Sequence, residues 1–111
     1  MTNYVPERGD IVWLNFTPQI GREQQGKRPA IVISPQNYNK KVGLALFCPI
    51  TTKQKGYPFE VKIANEKIYG VVLSDQIKSL DWQQRNIEFI IKATQVEINE
   101  IIKKLGILIF L

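Results

Sequence analysis

Strand-sized runs of Ile, Val, Phe and Trp recur along this chain and alternate with short polar segments. They are Ile11 to Phe16, Ala30 to Ser34, Gly43 to Ile50, Phe59 to Ile63, Gly70 to Ser74 and Ile87 to Ile91. Runs of this length and composition predict β-strands, and the Pro, Gly and Asn residues between them predict turns. So many short strands in one chain indicate a small, strongly bent sheet or barrel.

One helix is predicted near residues 95–105. Thr94 and Glu97 have the spacing of a capping box, in which each side chain binds the backbone N–H of the other residue. Apolar side chains then recur on one helical face, at Ile98, Ile101, Ile102 and Leu105. Gly106 is a predicted stop. The apolar tail Ile107 to Leu111 is expected to pair as a last strand or to join a dimer interface.

The length of 111 residues allows one compact domain, which we place at residues 1–111. With 44% hydrophobic and 23% charged residues, the composition is that of a globular protein rather than a disordered one. The chain contains no histidine. This excludes Ser-His-Asp and Cys-His sites, His-coordinated zinc and RNA cleavage by a pair of imidazoles, so any catalysis must use other groups.

Cys48 is the only cysteine, which excludes an intrachain disulfide and a Cys-based metal cluster and is typical of a reducing cytoplasm. Residues 1–7 lack the basic and then apolar order of a secretory signal. No run approaches the ~18 consecutive apolar residues of a membrane span. We therefore expect a cytoplasmic protein that does not enter the membrane.

The densest polar stretch, residues 21–29, lies immediately before the strand Ala30 to Ser34. Its cations and amides, among them Arg22, Gln24 and Lys27, could donate to phosphate oxygens. Arg28, at the junction of loop and strand, can grip a phosphate with two parallel hydrogen bonds. The net charge of +5 favours an acidic or phosphate-bearing partner. A solvated basic loop without a ligand is the alternative interpretation.

A second polar stretch, residues 49–58, follows another apolar strand. Thr51 is expected at the end of that strand, where its hydroxyl can donate a hydrogen bond to a ligand oxygen. Thr52 and Lys53 follow it and are further candidate contacts to an anion. A threonine that merely initiates a turn is the alternative for Thr51.

The order and spacing of these motifs resemble the MazF family of toxin endoribonucleases, also called the PemK or Kid family. The resemblance extends over nearly the whole chain. The matching motifs are Tyr4 to Pro6, Gly9 to Ile11, Gly21 to Gln24, Arg28 to Pro35, Asn37 to Asn39, Pro49 to Thr52, Lys55 to Val61, Gly70 to Ser79 and Trp82.

The resemblance implies a mainly β (α+β) fold, an SH3-like β-barrel made of a strongly bent antiparallel sheet with short helices. It implies a homodimer that cleaves single-stranded RNA, such as messenger RNA, at short specific sequences without a metal or other cofactor. It also implies a cognate acidic MazE-like antitoxin that covers the RNA site.

By the same resemblance, Arg28 and Thr51 match the main catalytic positions of the family. Glu23 and Gln24 match a loop that closes over RNA, and Glu23 is the carboxylate candidate for a proton acceptor. Arg22 occupies a position that varies in the family.

Base recognition in single-stranded RNA relies on stacking and on exposed base edges. Phe16 and Tyr57 are the first candidates for stacking because both border the polar stretches. Gln76 and Lys78 match family positions near the substrate groove.

Attack by the ribose 2′-OH of the substrate on the adjacent phosphorus accounts for an enzyme without histidine. It leaves a 2′,3′-cyclic phosphate and a 5′-OH, while Arg28 neutralises the phosphoryl charge and Thr51 holds the phosphate. Two other functions remain open: a CcdB-like gyrase poison that acts by protein-protein contact, and a noncatalytic SH3-like module that binds RNA and releases it uncut.

Overall fold

The computed structural model describes residues 4–16 and 27–110. Within these ranges the chain forms one seven-stranded sheet. Its strands are β1 (Asp10–Asn15), β2 (Lys27–Val32), β3 (Leu44–Thr51), β4 (Glu60–Ala64), β5 (Tyr69–Leu73), β6 (Lys78–Asp81) and β7 (Glu88–Lys92). The helices are α1 (Gln36–Val42), α2 (Gln95–Phe110) and a single 3-10 turn at Trp82–Gln84.

The sheet bends around β3, because successive parts of this strand pair with different neighbours. Leu44 to Phe47 pair with β6, Phe47 to Pro49 pair with β2, and Ile50 and Thr51 pair with β5. Six of the strands follow the order β4-β5-β3-β2-β1-β7, β6 pairs with β3 outside this path, and all pairs are antiparallel. The sheet therefore curls into a half-barrel, which confirms the predicted mainly β fold with a bent antiparallel sheet.

Most of β1 and the second half of β2, Ala30 to Val32, are buried on both faces, because the sheet separates two apolar clusters. Ile11 and Ile31 are cross-strand partners and face the cluster that α2 covers. Val12 and Val32 face the second cluster, in which Phe47 is the largest fully buried side chain. Alternate residues of a strand point to opposite faces, so each strand contributes to both clusters.

Helix α2 begins at the predicted capping box. The Glu97 backbone N–H donates to Thr94 Oγ1 at 3.1 Å, and the Thr94 N–H donates to Glu97 Oε1 at 2.9 Å. The helix covers the sheet with the buried side chains of Ile98, Ile101 and Leu105. Ile102, which the sequence placed on the same face, is 38% exposed.

The prediction that Gly106 stops this helix is wrong, because α2 continues to Phe110. A glycine inside a helix costs only about 1 kcal/mol relative to alanine, and residues 107–110 contain no proline to end the helix. The alternative of a terminal strand is therefore also wrong. Leu108, Ile109 and Phe110 are instead exposed at the helix end. No helix in the described part of the chain is long and apolar enough to cross a bilayer.

The sequence pattern does not predict α1, because this helix has no apolar stripe. Its one buried side chain is Asn39, whose Nδ2 donates to the carbonyl oxygens of Pro6 at 2.8 Å and Ser34 at 3.0 Å. Gly43, with φ of +83°, ends α1 in the left-handed conformation. The run that was predicted to begin a strand at Gly43 therefore begins it one residue later.

Candidate active site

A pocket of about 580 Å³ lies where β1, β3 and β5 end and β2, β4 and β6 begin. Seven of the residues selected from the sequence line it, namely Phe16, Arg28, Thr51, Lys53, Tyr57, Gln76 and Lys78. The remaining lining residues are Pro49, Ile50, Lys55, Glu60 and Leu73. A larger surface cavity of about 1090 Å³ is lined by Trp82 and its neighbours and contains none of the selected residues.

Arg28 and Thr51 lie on adjacent strands and on the same face of the sheet. Arg28 is the second residue of β2, and Thr51 is the last residue of β3. Ala30 pairs with Pro49, so the same register continued by two residues brings Arg28 level with Thr51. Directly opposed residues of an antiparallel pair point to the same face. The sheet therefore directs the guanidinium and the hydroxyl into one pocket.

The Thr51 hydroxyl accepts a hydrogen bond from the backbone N–H of Lys53 at 3.1 Å. This contact is the turn-initiating role that was the alternative interpretation of Thr51. A hydroxyl has one proton and two acceptor sites, so the contact leaves the O–H of Thr51 able to donate to a ligand oxygen. The turn contact fixes the side chain without using its donor.

Gly70 on β5 allows the backbone of Thr51 to approach closely. A Cβ at position 70 would lie 2.6 Å from the Thr51 carbonyl oxygen and 3.1 Å from its carbonyl carbon. Side-chain contacts are not normally this short, and a backbone carbonyl cannot rotate away as a flexible side chain can. The packing of β5 against the end of β3 therefore requires glycine at this position.

Phe16 forms the side of the pocket near the end of β1. Its ring lies 5.8 Å from Lys78 Nζ, within the distance of a cation-π contact. The Arg85 guanidinium donates from Nη1 to the carbonyl oxygens of Asn15 at 3.0 Å and Phe16 at 2.5 Å. Arg85 thus holds the chain where it leaves β1. The sequence does not predict this role of Arg85, because the carbonyl of Phe16 that it binds lies 69 residues away along the chain.

Tyr57 also lines the pocket and donates its phenolic O–H to Asp75 Oδ2. This hydrogen bond, followed by burial and by the negative charges of Asp75 and Glu60, raises the pKa of Tyr57 above its usual value. The phenol therefore stays neutral over the whole physiological pH range. The ring is 40% exposed and can offer an uncharged stacking face.

The pocket is strongly positive in its described part. Four cations line it, Arg28, Lys53, Lys55 and Lys78, against the single carboxylate of Glu60. Neither Lys55 nor Glu60 was among the residues selected from the sequence. The strict alternation of Phe59 to Ile63 does place Glu60 on the outer face of β4, and its side chain there is half-buried at the edge of the pocket.

Two selected residues lie away from this pocket. Lys27 Nζ forms an ion pair with Glu88 Oε1 at 3.1 Å across β1. Thr52 is exposed and does not line the pocket. Arg22, Glu23 and Gln24 lie outside the described residues. Over residues 4–16 and 27–110, no three His, Cys, Asp or Glu side chains come together as a metal site requires.

Comparison with known proteins identifies the family. A sequence profile of the PemK-like, MazF-like toxins of type II toxin-antitoxin systems matches residues 7–109. The endoribonuclease toxin MazF of Escherichia coli K12 is 49% identical over 85 residues, which are 77% of each chain.

Solved structures agree with the sequence comparison. A crystal structure of MazF from Deinococcus radiodurans (Form-I) superposes with a TM-score of 0.87 at 48% identity and covers 98% of this chain and 100% of that one. A MazE-MazF crystal structure from the same organism (Form-II) superposes with a TM-score of 0.87 at 43% identity, over 98% and 99% of the two chains. The chain therefore belongs to the PemK-like, MazF-like toxins of type II toxin-antitoxin systems.

Proposed function

We propose that this chain is a single toxin domain, residues 1–111, that cuts single-stranded RNA endonucleolytically at specific short sequences. The observation that carries the proposal is that Arg28 and Thr51 line one positive pocket together with two aromatic rings. Phosphate charge and base stacking are the two features by which proteins bind single-stranded nucleic acid. Relatives named as endoribonucleases support the reaction class.

In the proposed reaction, the ribose 2′-oxygen attacks the adjacent phosphorus. The new O2′–P bond forms as the P–O5′ bond breaks, which leaves a 2′,3′-cyclic phosphate and a 5′-OH. The 2′-OH proton must go to a base, and the departing O5′ must receive a proton. The nucleophile belongs to the substrate, so the protein needs to align the phosphate, stabilise its charge and assist these proton transfers.

Arg28 and Thr51 would perform the electrostatic part of this work. A guanidinium is a permanent cation in proteins and can donate two parallel hydrogen bonds to the phosphoryl oxygens. The O–H of Thr51, which its contact with Lys53 leaves available, would donate a further hydrogen bond. The proton acceptor in this proposal is Glu23, as the sequence suggested.

The RNA path would follow the charges and rings of the pocket. Phe16 and Tyr57 line the pocket and offer stacking faces, and Lys53 and Lys78 in the same lining would neutralise flanking phosphates. Gln76 offers an amide that can read a base edge. Lys27, Thr52, Arg22 and Gln24 remain predicted contacts to RNA.

The cellular setting is also part of the proposal. We infer that a cognate acidic MazE-like antitoxin occupies the same positive pocket in the cytoplasm and so competes with RNA; MazE-MazF structures of the Deinococcus relative support such a partner. We infer a homodimer as well. The exposed side chains of Leu108, Ile109 and Phe110 at the end of α2 are apolar surface that a second subunit could cover.

The test is to incubate the purified protein with a long unstructured RNA in EDTA and to sequence the ends. We expect defined cuts with 2′,3′-cyclic phosphate and 5′-OH ends. Arg28→Ala should lower the rate about 100- to 1000-fold, as is typical when one main charge-stabilising group is lost. Lys67→Ala, an exposed cation in the turn between β4 and β5, is the matched control and should cut normally.

A second substrate separates this chemistry from hydrolysis. An RNA with a single 2′-deoxy nucleotide on the 5′ side of the cut should bind and stay intact. Cleavage at that position would show attack by water and refute the proposed mechanism. Intact RNA with trapped gyrase would support a gyrase poison, and RNA that is bound but never cut would support a noncatalytic binding module.

A further inference from the structure

The loop of residues 52–58 carries three of the side chains that line the pocket, and it belongs to no helix or strand. Lys53, Lys55 and Tyr57 all project from it into the pocket. Within the described residues, the loop contributes two hydrogen bonds between backbone groups, from Gln54 N–H to Thr52 O and from Glu60 N–H to Tyr57 O, each 3.1 Å long. Side chains from outside the loop must therefore fix its shape.

The Glu60 carboxylate is the group that holds the middle of this loop. Its Oε2 accepts the backbone N–H of Lys55 at 2.9 Å, and its Oε1 accepts the N–H of Gly56 at 3.2 Å. Gly56 has φ of +74°, a conformation that glycine adopts without strain and that turns consecutive N–H groups toward one anion. Both carboxylate oxygens are thus used in folding the loop.

Two other side chains fix the same loop from its far side. Lys104 on α2 donates from Nζ to the carbonyl oxygens of Pro58 at 2.7 Å and Glu60 at 3.2 Å. Asp75 accepts the O–H of Tyr57. Neither Lys104 nor Asp75 lines the pocket. The loop is therefore hydrogen-bonded to β4, to α2 and to the segment after β5. Of the three side chains that make these bonds, Glu60 is the one that lines the pocket.

We propose that Glu60 is a positioning residue for RNA binding. This proposal rests on the proposed function of the pocket. Its carboxylate folds the loop so that Lys53, Lys55 and Tyr57 face the RNA, and it takes no part in the reaction at phosphorus. Glu60 then favours RNA binding overall, although its negative charge opposes it. A carboxylate in a cationic pocket repels RNA, yet removing it weakens RNA binding because the loop loses its shape.

The experiment compares Glu60→Gln and Glu60→Ala with the wild type, using a short RNA that contains one cut site. We expect KM to rise in the order wild type, Gln, Ala, because glutamine keeps one acceptor oxygen and alanine keeps none. The alanine variant should show a KM increase of about tenfold or more, the scale of a displaced binding group. The kcat should stay within about twofold, because binding is lost equally in the ground and transition states.

Glu66→Gln is the matched control, because it removes the same charge from an exposed position in the β4–β5 turn and should leave KM unchanged. Amide hydrogen exchange provides a direct readout, since the Lys55 and Gly56 N–H groups should lose protection in Glu60→Ala. Lys104→Met removes the ties on α2 without entering the pocket and should also raise KM. The Lys104→Met variant keeps the proposal testable if Glu60→Ala does not fold.

Three results would overturn the inference. One is an equal fall in KM in both Glu60 variants, which simple charge removal predicts. The second is unchanged KM with normal exchange protection. The third is a loss of kcat without a change in KM, which would place Glu60 in the reaction itself. A wild-type protein that neither binds nor cuts RNA would instead refute the proposed function, and binding of the 2′-deoxy RNA distinguishes the two failures.

Discussion

Single side chains in this protein depend on close backbone contacts for their position. Thr51 is the clearest case, since its hydroxyl is held by the Lys53 N–H and its carbonyl is packed against Gly70. Hydroxyl and guanidinium groups are common on protein surfaces and are not reactive by themselves. In the proposed reaction, both groups would have to be held close to the positions that the phosphate requires.

Gly70→Ala should therefore impair the site without changing any side chain that lines it. A Cβ 2.6 Å from the Thr51 carbonyl oxygen must push β3 and β5 apart. We expect a destabilisation of about 1–3 kcal/mol, as for an overpacked core, and a fall in kcat/KM of about 10- to 100-fold. Denaturant unfolding and RNA cleavage rates measure the two effects.

Gly106→Ala is the control for that variant. A Cβ at position 106 would lie 3.8 Å from the Phe110 ring, which is an ordinary contact. Because position 106 is inside α2, alanine should leave stability unchanged or raise it by up to about 1 kcal/mol. Equal loss of stability in both glycine variants would contradict the close-contact explanation.

Cys48 is fully buried, and burial, with a smaller contribution from the charge of Asp75, raises the pKa of its thiol to about 12. The folded protein should resist alkylation at pH 8, while unfolded protein should react. The raised pKa also makes stability depend on pH. Between pH 9 and 12 the unfolded thiol ionises but the folded one does not, so stability falls as pH rises, by at most ~1.4 kcal/mol per unit from this group.

Comparing alkylation in buffer and in denaturant checks the first part of this prediction. For the second part, the fall in unfolding free energy above pH 9 should be shallower in Cys48→Ala than in the wild type. Rapid alkylation of the folded wild type at pH 8 would show that the thiol is accessible.

Secondary-structure elements were predictable where their own residues carry the signal. The alternation in Phe59 to Ile63 and the capping box at Thr94 both act through neighbours within four residues, and both appear in the structure. The helix α1 carries no such signal, because its buried residue is the polar Asn39, whose partners Pro6 and Ser34 are distant or outside the helix. β6 is a strand because it pairs with β3, and the short sequence of β6 does not by itself predict a strand.

The capping box makes a stability prediction for α2. Thr94→Ala removes the oxygen that accepts the Glu97 N–H and should destabilise the protein by about 1 kcal/mol. For a domain of this size that corresponds to a fall in Tm of about 4 °C. Thermal unfolding followed by circular dichroism measures it. Val96→Ala, at a 78% exposed position in the same turn, should leave Tm unchanged or raise it slightly, because alanine has the higher helix propensity.

At the scale of the whole molecule, the chain has a net charge of +5, and the fold brings part of its positive charge together in one pocket. Arg28, Lys53, Lys55 and Lys78 come from three separate segments and line one pocket. Charges arranged in a concave site focus the potential on a ligand more strongly than the same charges spread over a convex surface. RNA and an acidic antitoxin would compete for this field.

Binding of uncleavable 2′-deoxy RNA should therefore depend strongly on salt. Each phosphate neutralised on a single strand contributes a slope of about −0.7 to log K against log salt concentration, so four cations predict a slope of about −3. Lys78→Gln should reduce the magnitude by about 0.7, and Lys67→Gln should not change it. Fluorescence anisotropy at several salt concentrations measures the slopes, and a slope near zero would contradict binding in this pocket.

The sequence was sufficient to determine the strand-forming segments, the exclusion of histidine chemistry and the family. The strand runs and the absence of histidine follow from residue identity, and the family resemblance, which the comparisons confirm, rests on short motifs that need no structure to read. Arg28 and Thr51 were selected in this way. These signals lie in residue identities, in short motifs and in the order of those motifs along the chain, so the sequence alone expresses them.

Tertiary structure decided which residues meet. The loop of residues 52–58 is shaped by Glu60, Asp75 and Lys104, which lie up to 46 residues away from the atoms they bind. The need for glycine at position 70 comes from the strand beside it, and Lys27 is drawn to Glu88 across the sheet. These contacts depend on strand register and on the packing of α2, and periodicity along the chain contains no information about either.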